Sequence, residues 1–364
     1  MRLEWIDSNN DPENESLAYA RRVFSLIQQN GSIEFQSTEP EVPNIHEGTK
    51  LKDGTRVFRT SGTSGFQKKV YHDEETISNA VEGLVDRVGG SYSSYCCLPI
   101  YHVSGWMQVE RAIRTGGNIL FGDYKRLSKV DMSHELKGRW ISLVPTQLYF
   151  LLHSKIALKN LRSSRGVFVG GATLSSVLQT KARNGEIPVY PCYGMTETAG
   201  MITLLDSKDF LNGVDGVGDC LSHAKIKIVN GSVKIRSKSL CYQLGTEKIC
   251  FDDWYETKDQ GNFSEGYGYT ISGRLDRCII SGGKNIYPEA IESCLCSNPF
   301  VLDCKIVGKQ DEYWGKKVVA YIELTDDKKL DDIKKFARSR LSSEEIPKEW
   351  FSFDQFFDQK ELRK

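Results

Sequence analysis

Short apolar runs alternate with amphipathic stretches over residues 55–200. Ile77, Val81, Leu84, Val85 and Val88 recur at the spacing of one helix face, which predicts a helix around them. Further helices are predicted at 106–113, 146–153 and 174–183, and strands at 57–58, 95–100, 118–121, 140–144, 166–169 and 189–193. Strands that alternate with helices are typical of a largely parallel sheet covered on both faces.

The pattern changes after residue 220. Residues 225–235 alternate apolar and polar around Asn230-Gly231, a strong signal for a β-hairpin. After Arg274 the pattern predicts helix 288–297, strands 301–307 and 317–324, and helix 330–341. The predicted fold is therefore α/β. A large N-terminal domain, residues 1–273, has mixed or parallel sheets plus a small antiparallel sheet, and residues 274–364 form a small, mobile α+β domain.

Charge and composition exclude several functions. The 364 residues carry 48 Lys and Arg against 48 Asp and Glu, so the basic excess expected of a nucleic-acid-binding protein is missing. No apolar run approaches the ~20 residues of a membrane span, and acids interrupt the N-terminus where a signal peptide is apolar. Ten cysteines without paired spacing indicate reduced, mostly buried thiols, and hence a cytoplasmic protein.

One segment has the composition of a phosphate-binding loop. Residues 60–69 read Thr-Ser-Gly-Thr-Ser-Gly-Phe-Gln-Lys-Lys and follow a predicted strand. Glycines let backbone N–H groups approach phosphate oxygens, hydroxyls donate further hydrogen bonds, and a lysine supplies charge. The segment lacks the P-loop spacing, because Gln67 stands where the second glycine belongs. The alternative is a flexible surface loop.

A second segment, Tyr193-Gly194-Met195-Thr196-Glu197-Thr198, follows the strand at 189–193. Open α/β sheets bind ligands at the carboxyl ends of their parallel strands. A carboxylate there suits Mg²⁺, a hydroxyl suits a phosphate and an aromatic ring suits a base. Taken alone, the segment fits an ordinary strand-to-helix turn with an acidic first turn better than a ligand site.

Three later segments change that balance: residues 255–259 (Tyr-Glu-Thr-Lys-Asp), 273–277 (Gly-Arg-Leu-Asp-Arg) and 280–288 (Ile-Ser-Gly-Gly-Lys-Asn-Ile-Tyr-Pro). With all five motifs in this order, the chain resembles the adenylate-forming superfamily of acyl-CoA ligases, carrier-loading adenylation domains and luciferases. The resemblance covers roughly residues 55–364. It implies ATP, Mg²⁺ and coenzyme A as co-substrates.

The resemblance also implies roles for individual residues. Thr196 would contact phosphate, Glu197 would hold Mg²⁺ and Asp276 would be the hinge. Lys360 would be the catalytic lysine, although Gln359 replaces the glycine that normally precedes the family's Lys-x-x-Arg; the alternative is a solvated tail. The remaining nucleotide residues would be Thr60, Ser61, Gly62, Thr63, Ser64, Gly65 and Lys68 around the phosphates, Gly170, Gly171, Ala172, Tyr193 and Gly194 at the adenine, Asp259 at the ribose, and Arg274 at the ribose or a phosphate. Ser281, Gly282 and Gly283 would line the path of coenzyme A.

The acid pocket is predicted from residues 98–106, which resemble the superfamily's aromatic and histidine loop. His102 and Ser104 lie in that loop, and Thr146 belongs to a segment similar to the pocket's opposite wall. Arg111 follows His102 by nine residues, an arrangement similar to that in o-succinylbenzoate–CoA ligases of menaquinone and phylloquinone synthesis. Their substrate has two carboxylates, and arginine suits the one that is not activated. The alternative is a surface arginine paired with Glu110 or with solvent.

Three other functions stay open. They are an aryl- or acyl-CoA ligase for another acid, a stand-alone domain that loads a carrier protein, and a non-catalytic nucleotide-binding protein. The predicted partners are small molecules. A homodimer is a further possibility, because the phosphate loop comes as early as residue 60 and a second subunit could complete the sheet beneath the acid pocket.

Overall fold

A computed structural model describes residues 3–5, 33–34, 51–52, 54–60, 68–296, 298, 300–326, 329–353 and 355. The chain divides into two compact units. The large unit comprises residues 1–171, 182–257 and 263–270, and the small unit comprises residues 172–181, 258–262 and 271–364. The domain boundary at 273/274 stays a prediction.

An eight-stranded sheet forms the centre of the large unit, in the order β1-β6-β5-β7-β8-β9-β10-β11. Strands β1 to β9 of this sheet pair in parallel, while β10 and β11 are added antiparallel. The strands are β1 Leu3–Trp5, β5 Ser94–Cys96, β6 Ile119–Phe121, β7 Trp140–Leu143, β8 Gly166–Val169, β9 Val189–Met195, β10 Gly200–Leu204 and β11 Asp219–Cys220.

A five-stranded sheet, in the order β15-β14-β4-β3-β2, contains the hairpin that carries the predicted phosphate loop. Its strands are β2 Ile33–Glu34, β3 Arg56–Thr60, β4 Lys68–His72, β14 Gln243–Leu244 and β15 Glu247–Lys248. Apolar side chains from the middle of the hairpin, such as Val57 and Val70, are fully buried. This burial fixes the register of β3 against β4.

A four-stranded sheet has the order β12-β13-β16-β17. Its strands are β12 Ala224–Val229, β13 Ser232–Ser237, β16 Tyr255–Ser264 and β17 Gly268–Arg274. Asn230 and Gly231 join β12 to β13 with φ values of 50° and 79°. Two successive positive φ angles are those of the tight hairpin turn that Asn-Gly favours, so the predicted hairpin is confirmed.

The small unit contains a second five-stranded sheet, in which β19-β18-β21-β20 are neighbours and β22 pairs with β21 in parallel. The strands are β18 Ile279–Ser281, β19 Lys284–Ile286, β20 Val301–Asp311, β21 Gly315–Leu324 and β22 Glu349–Ser352. Ile291 and Ile333, from the two helices of this unit, pack with Ile306 in one apolar core.

Eight α-helices lie in the described residues. They are α1 Glu74–Val88, α2 Val103–Thr115, α3 Pro145–Leu151, α4 Lys155–Ser163, α5 Ser176–Asn184, α6 Ser207–Leu211, α7 Pro288–Cys296 and α8 Leu330–Arg340. The predicted apolar face of α1 is confirmed, since Ile77, Val81 and Leu84 are all buried. Asp73 caps this helix by accepting a hydrogen bond from the N–H of Thr76.

The predicted α/β fold class is confirmed by these layers. The ten cysteines all lie in the described part of the chain and none forms a disulfide. Cys96, Cys241 and Cys304 are buried and Cys250 is exposed, while the other six are half-buried. Across the described ranges, no helix combines the length and the apolar character that a membrane crossing requires.

Candidate nucleotide and acid site

Several predicted site residues follow strands that end at one edge of the large sheet. Strands β5, β7, β8 and β9 are parallel neighbours, so their carboxyl ends lie side by side. His102, Thr146, Gly170 and Tyr193 come shortly after, or at the end of, these four strands. Parallel strands therefore bring together residues that the sequence separates by up to 91 positions. This edge is where open α/β sheets bind their ligands.

Strands β3 and β4 carry cations on both arms of the hairpin. Thr60 lies opposite Lys68, and Arg59 lies opposite Lys69. These side chains add positive charge to both strands beside the predicted phosphate loop, as a phosphate site requires. Arg59 stands one residue before the motif and was not among the predicted residues. The predicted Ser61, Gly62, Thr63, Ser64 and Gly65 lie outside the described residues.

The turn that carries Thr196 and Glu197 is held at all three of its carbonyl groups. His72 Nε2 donates to the Thr196 carbonyl at 2.8 Å, and the Cys241 N–H donates to that of Glu197 at 2.7 Å. The Ser239 hydroxyl donates to the Thr198 carbonyl at 2.8 Å. Strand β4 and the segment that follows β13 therefore both fix this turn. Its backbone is anchored, while the Thr196 and Glu197 side chains are half-buried.

His72 is a residue of this site that sequence analysis missed. Its ring is fully buried, and burial lowers its pKa to about 4, so the ring is neutral at pH 7. A carbonyl oxygen can only accept, so Nε2 carries the proton and Nδ1 does not. The only sequence signal for this role is the position of His72 at the end of the strand that leaves the phosphate loop.

The predicted adenine-binding residues lie at the ends of β8 and β9. A side chain at Gly170 would place a Cβ 2.8 Å from the Cys192 sulfur, so only glycine allows β8 to pass this close to β9. Gly171 follows with a φ of 80° and is exposed. Ala172 is exposed and Tyr193 is half-buried. An aromatic ring at the end of β9 suits stacking on the flat face of a purine.

Close packing also explains why residue 194 is a glycine. A Cβ at this position would lie 2.0 Å from the carbonyl oxygen of Gly200, across the turn that joins β9 to β10. No side chain fits that space. Gly194 therefore lets β9 and β10 close tightly around the Thr196–Thr198 turn.

Helix α2 begins at the acid-pocket motif. His102 is its N-cap residue, and the side chains of His102 and Ser104 are exposed at this end of the helix. The Tyr101 ring lies against the His102 ring with 4.6 Å between centroids. A Cβ on Gly105 would lie 2.2 Å from the Pro99 carbonyl oxygen, so the first turn of α2 packs directly on the preceding loop.

A buried ion-pair network joins α2 to β3. Glu110 is 2% exposed and accepts from Arg56 at 3.0 Å, from Trp106 at 2.9 Å and from Arg114 at 3.2 Å. Arg56, which is 1% exposed, and Arg114 both also reach Glu74 at the start of α1. The Glu110 carboxylate is therefore fully engaged on the side of α2 that faces β3.

Arg111 is buried, at 2% exposure, and no described carboxylate pairs with it. The alternative of pairing with Glu110 is wrong, because Glu110 is bound to Arg56 and Arg114. The Arg111 guanidinium carbon lies 5.6 Å from the centre of the Tyr92 ring, and Nη2 lies 3.7 Å from the position of a Cβ on Gly200. The alternative of a solvated surface arginine is also wrong. This side chain lies in the interior, next to the strand that follows the Thr196–Thr198 turn.

The small unit holds a separate group of predicted residues. Asp259 is buried on β16, and Arg274 at the end of β17 approaches its carboxylate to 3.9 Å. The Arg274 guanidinium donates to both oxygens of Asp276, at 2.9 and 2.8 Å, and Lys258 approaches Asp276 to 3.4 Å. The predicted ribose and hinge residues are thus linked directly by ion pairs within this unit.

The predicted coenzyme A segment is the turn between β18 and β19. Gly282 and Gly283 have φ values of 56° and 79°, and the Gly282 N–H donates to the Trp314 carbonyl at 2.9 Å. The Ser281 side chain is buried. Lys360 lies outside the described residues, so its role stays a prediction.

Two models of known protein families match this chain. The model of the AMP-binding enzyme family matches residues 8–236, and the model of the AMP-binding enzyme C-terminal domain matches residues 290–356. The chain therefore belongs to the AMP-binding enzymes. Among curated proteins it is 30% identical to the 2-succinylbenzoate–CoA ligase of Listeria monocytogenes over 86% of this chain and 68% of that protein. It is also 30% identical to the enzyme of that name from Escherichia coli, over 80% and 63% of the two chains.

Solved structures give the same result. The o-succinylbenzoate CoA synthetase of Bacillus subtilis in complex with its acyl-adenylate intermediate superposes with a TM-score of 0.73 at 25% identity, over 82% of this chain and 65% of that one. An Escherichia coli homologue, with a TM-score of 0.66 at 25% identity, matches over 90% and 73%. The chain spans about two thirds of the length of these relatives. The resemblance to the adenylate-forming superfamily, and within it to the o-succinylbenzoate–CoA ligases, is confirmed.

Proposed function

We propose that this protein is an AMP-forming acid–thiol ligase that converts 2-succinylbenzoate to its coenzyme A thioester, a step of menaquinone or phylloquinone biosynthesis. ATP and coenzyme A are its co-substrates and Mg²⁺ its metal. The relatives that carry this name support the proposal. The observation that carries it is Arg111, a buried cation in the large unit with no carboxylate of the described chain beside it.

The proposed substrate supplies the missing anion. 2-Succinylbenzoate has one carboxylate on its aliphatic chain, which is activated, and one on its aromatic ring. Leaving a buried charge unpaired is costly, whereas a bound carboxylate pairs with an arginine through two parallel hydrogen bonds. A monocarboxylic acid would leave Arg111 without a partner. His102, Ser104 and Thr146 are proposed to bind the rest of the acid.

The phosphate-binding residues suit magnesium nucleotide. The described residues contain no group of three or more His, Cys, Asp or Glu side chains able to hold a metal ion, so Glu197 would act as a single carboxylate ligand. That fits Mg²⁺, which proteins usually bind through one or two carboxylates together with substrate phosphates. Bound there, the ion would neutralise charge on the phosphates. Thr60, Lys68 and Thr196 would bind phosphate oxygens, with Ser61 to Gly65 continuing the loop.

The proposed chemistry has two steps. A carboxylate oxygen attacks the α-phosphorus, which forms the acyl-adenylate as the bond to diphosphate breaks. The coenzyme A sulfur, having lost its proton, then attacks the acyl carbon, and AMP leaves. Lys360 is proposed to place a positive charge beside the α-phosphate in the first step, where negative charge must be stabilised.

We propose that Asp259 and Arg274 of the small unit bind the ribose, and that Ser281 to Gly283 line the path of coenzyme A. Asp276 is the proposed hinge, and the proposed domains are residues 1–273 and 274–364. The matched C-terminal family model at 290–356 supports that division. We also propose a cytoplasmic location, no nucleic-acid partner, and a homodimer as the assembly.

The test is a release assay for diphosphate and AMP, with MgATP, coenzyme A and a panel of carboxylic acids. We expect 2-succinylbenzoate to give the highest kcat/KM and to yield a thioester with free coenzyme A. Preference for a benzoate or a fatty acid would show that the substrate is another acid. Transfer only to a carrier protein would show that the acceptor is not free coenzyme A. Absence of diphosphate release with every acid would contradict the ligase activity itself.

A further inference from the structure

Four buried polar side chains lie close together in the interior of the large unit: Tyr92, Arg111, Ser142 and His223. They come from the segment before β5, helix α2, strand β7 and the segment after β11. All four are at least nine-tenths buried, with Tyr92 at 1% and Arg111 at 2% exposure. No described group completes a hydrogen bond to the Tyr92 hydroxyl, to Arg111 Nε, to the Ser142 hydroxyl or to either ring nitrogen of His223.

The cluster carries one full charge, and it is positive. Burial, with a further contribution from Arg111, lowers the pKa of His223 to about 4, so that ring is neutral at pH 7. Burial raises the pKa of Tyr92, so its hydroxyl keeps its proton. The nearby Glu110 is bound to Arg56 and Arg114. The Arg111 charge is therefore not balanced by a described neighbour.

The Tyr92 hydroxyl and the Arg111 guanidinium are next to each other and both can donate. The guanidinium lies against the tyrosine ring at 5.6 Å, and both Arg111 and Ser142 lie close enough to the hydroxyl to favour its ionised form. A guanidinium cannot accept a hydrogen bond, so Arg111 cannot take the proton of the Tyr92 hydroxyl, and no described group accepts that proton. A group that accepts from both at once, and that is negatively charged, completes the cluster. A carboxylate meets both conditions.

The distance along α2 fits such a substrate group. Arg111 lies nine residues beyond His102, which is ~13 Å along a helix that rises 1.5 Å per residue. The Arg111 Nη2 atom is 3.7 Å from the position of a Cβ on Gly200, two residues beyond Thr198. The Arg111 guanidinium therefore lies in the interior beside the β9–β10 turn, at some distance from the exposed start of α2. An acid with a second carboxylate at its far end suits this length.

We propose that the Tyr92 hydroxyl donates a second hydrogen bond to the ring carboxylate of the substrate, beside Arg111, and so helps the enzyme to select a dicarboxylic acid. This inference rests on the proposed function. Tyr92 acts on the remote carboxylate only and takes no part in the chemistry at the phosphorus.

The test is Tyr92→Phe, which removes one oxygen atom and leaves the ring beside Arg111. With 2-succinylbenzoate we expect KM to rise about tenfold while kcat stays within twofold. With 4-oxo-4-phenylbutanoate, which lacks the ring carboxylate, we expect no change in either constant. In an Arg111→Ala background the effect of Tyr92→Phe on KM should fall below about twofold, because the two donors share one acceptor.

Tyr95→Phe is the matched control. Tyr95 is equally buried on β5, but its hydroxyl already donates to the Asp123 carbonyl at 2.9 Å. Its loss should lower the melting temperature without changing the preference between the two acids. If Tyr92→Phe raised KM for both acids equally, or for neither, the proposal would be overturned and the ligase activity would stand. If the wild-type enzyme released no diphosphate with 2-succinylbenzoate, both would fail.

Discussion

His72 donates a hydrogen bond from Nε2 to the Thr196 carbonyl oxygen at 2.8 Å, and the two residues are 124 positions apart. This bond joins the strand that leaves the proposed phosphate loop to the turn that carries the proposed magnesium ligand. A movement of β4 is therefore transmitted to Thr196. The first prediction follows from this contact.

Replacement of His72 by Leu removes the side-chain donor and leaves the Thr196 carbonyl with only the Ala199 N–H, at 3.2 Å. We expect KM for MgATP in the adenylation assay to rise by up to about 10-fold, because a hydrogen bond contributes ~0.5–1.5 kcal/mol net. His72→Gln keeps an N–H donor at a similar reach and should recover most of the affinity. If Leu and Gln variants of equal melting temperature had equal KM values, the bond would have no role in nucleotide binding.

Arg111→Ala should raise KM for 2-succinylbenzoate by about 10- to 100-fold, the usual effect of losing a hydrogen bond to a charged group. Diphosphate exchange supported by benzoates should change little, since these acids have no second carboxylate. Arg111→Lys keeps the charge but loses the fork of donors, so its KM should lie between the values for the wild type and for Arg111→Ala. Initial rates over a range of each acid measure this. Equal losses with both acids would contradict the assignment.

Glu110→Gln removes the negative charge shared by Arg56 and Arg114. We expect the free energy of unfolding to fall by ~3–5 kcal/mol, because the variant leaves buried cations uncompensated. Urea denaturation followed by circular dichroism measures the change. Asp131→Asn is the control, since its ion pair with Lys159 is on the surface and its loss should leave the midpoint unchanged. A Glu110 variant as stable as the control would show that the network contributes nothing.

Acidification should destabilise the fold through the buried histidines His72 and His223, whose pKa values are both about 4 in the folded protein. The pKa of His223 lies below the ordinary value of 6.5 because burial and Arg111 disfavour the charged form while Asp86 opposes them. Between those two pH values the unfolded chain binds a proton that the folded chain does not. The contribution is therefore complete above pH 6.5 and is lost as pH falls towards 4, on the order of 3 kcal/mol in all.

Urea midpoints measured from pH 7.5 to 4.5 test this. Wild type should lose stability over the range, and His223→Gln should lose less. The exposed His134→Gln should follow wild type. A His223 variant with the wild-type slope would mean that this ring is not the group responsible.

Lys360→Ala should lower the rate of adenylation by roughly 10²- to 10³-fold, yet retain thioester formation from a supplied acyl-adenylate. Lys364→Ala, four residues further along the same segment, is the matched control and should behave as wild type. Single-turnover assays of each half-reaction separate the two steps. Full adenylation activity in the Lys360 variant would leave this lysine without a catalytic role.

Local patterns predicted the fold well where the determining forces are themselves local. The Asn230-Gly231 turn and the apolar face of α1 depend on residues close in sequence, and both are found as expected. His72 could not be predicted, because its role depends on a carbonyl 124 residues away. For Arg111 the sequence left pairing with Glu110 open. Only the packing of α2 against β3 shows that Arg56 and Arg114 engage that carboxylate.

The site residues also differ in how far the sequence alone predicts them. Motif order indicated Thr196, Glu197 and Gly170, but the reason why Gly194 must be glycine is a contact with Gly200 across a turn. Tyr92 carries no motif at all. Its significance comes from burial next to a cation, which depends on how three separate elements meet.

Two of the three contacts that hold the Thr196–Thr198 turn come from residues that follow it by about 40 positions in the chain. A ribosome that has translated as far as Ile235 has made every strand from β1 to β11, yet Ser239 and Cys241 do not exist. Until those two residues emerge, the carbonyl groups of Glu197 and Thr198 lack their donors. A chain that ends before residue 239 therefore lacks two of the three donors that fix this turn.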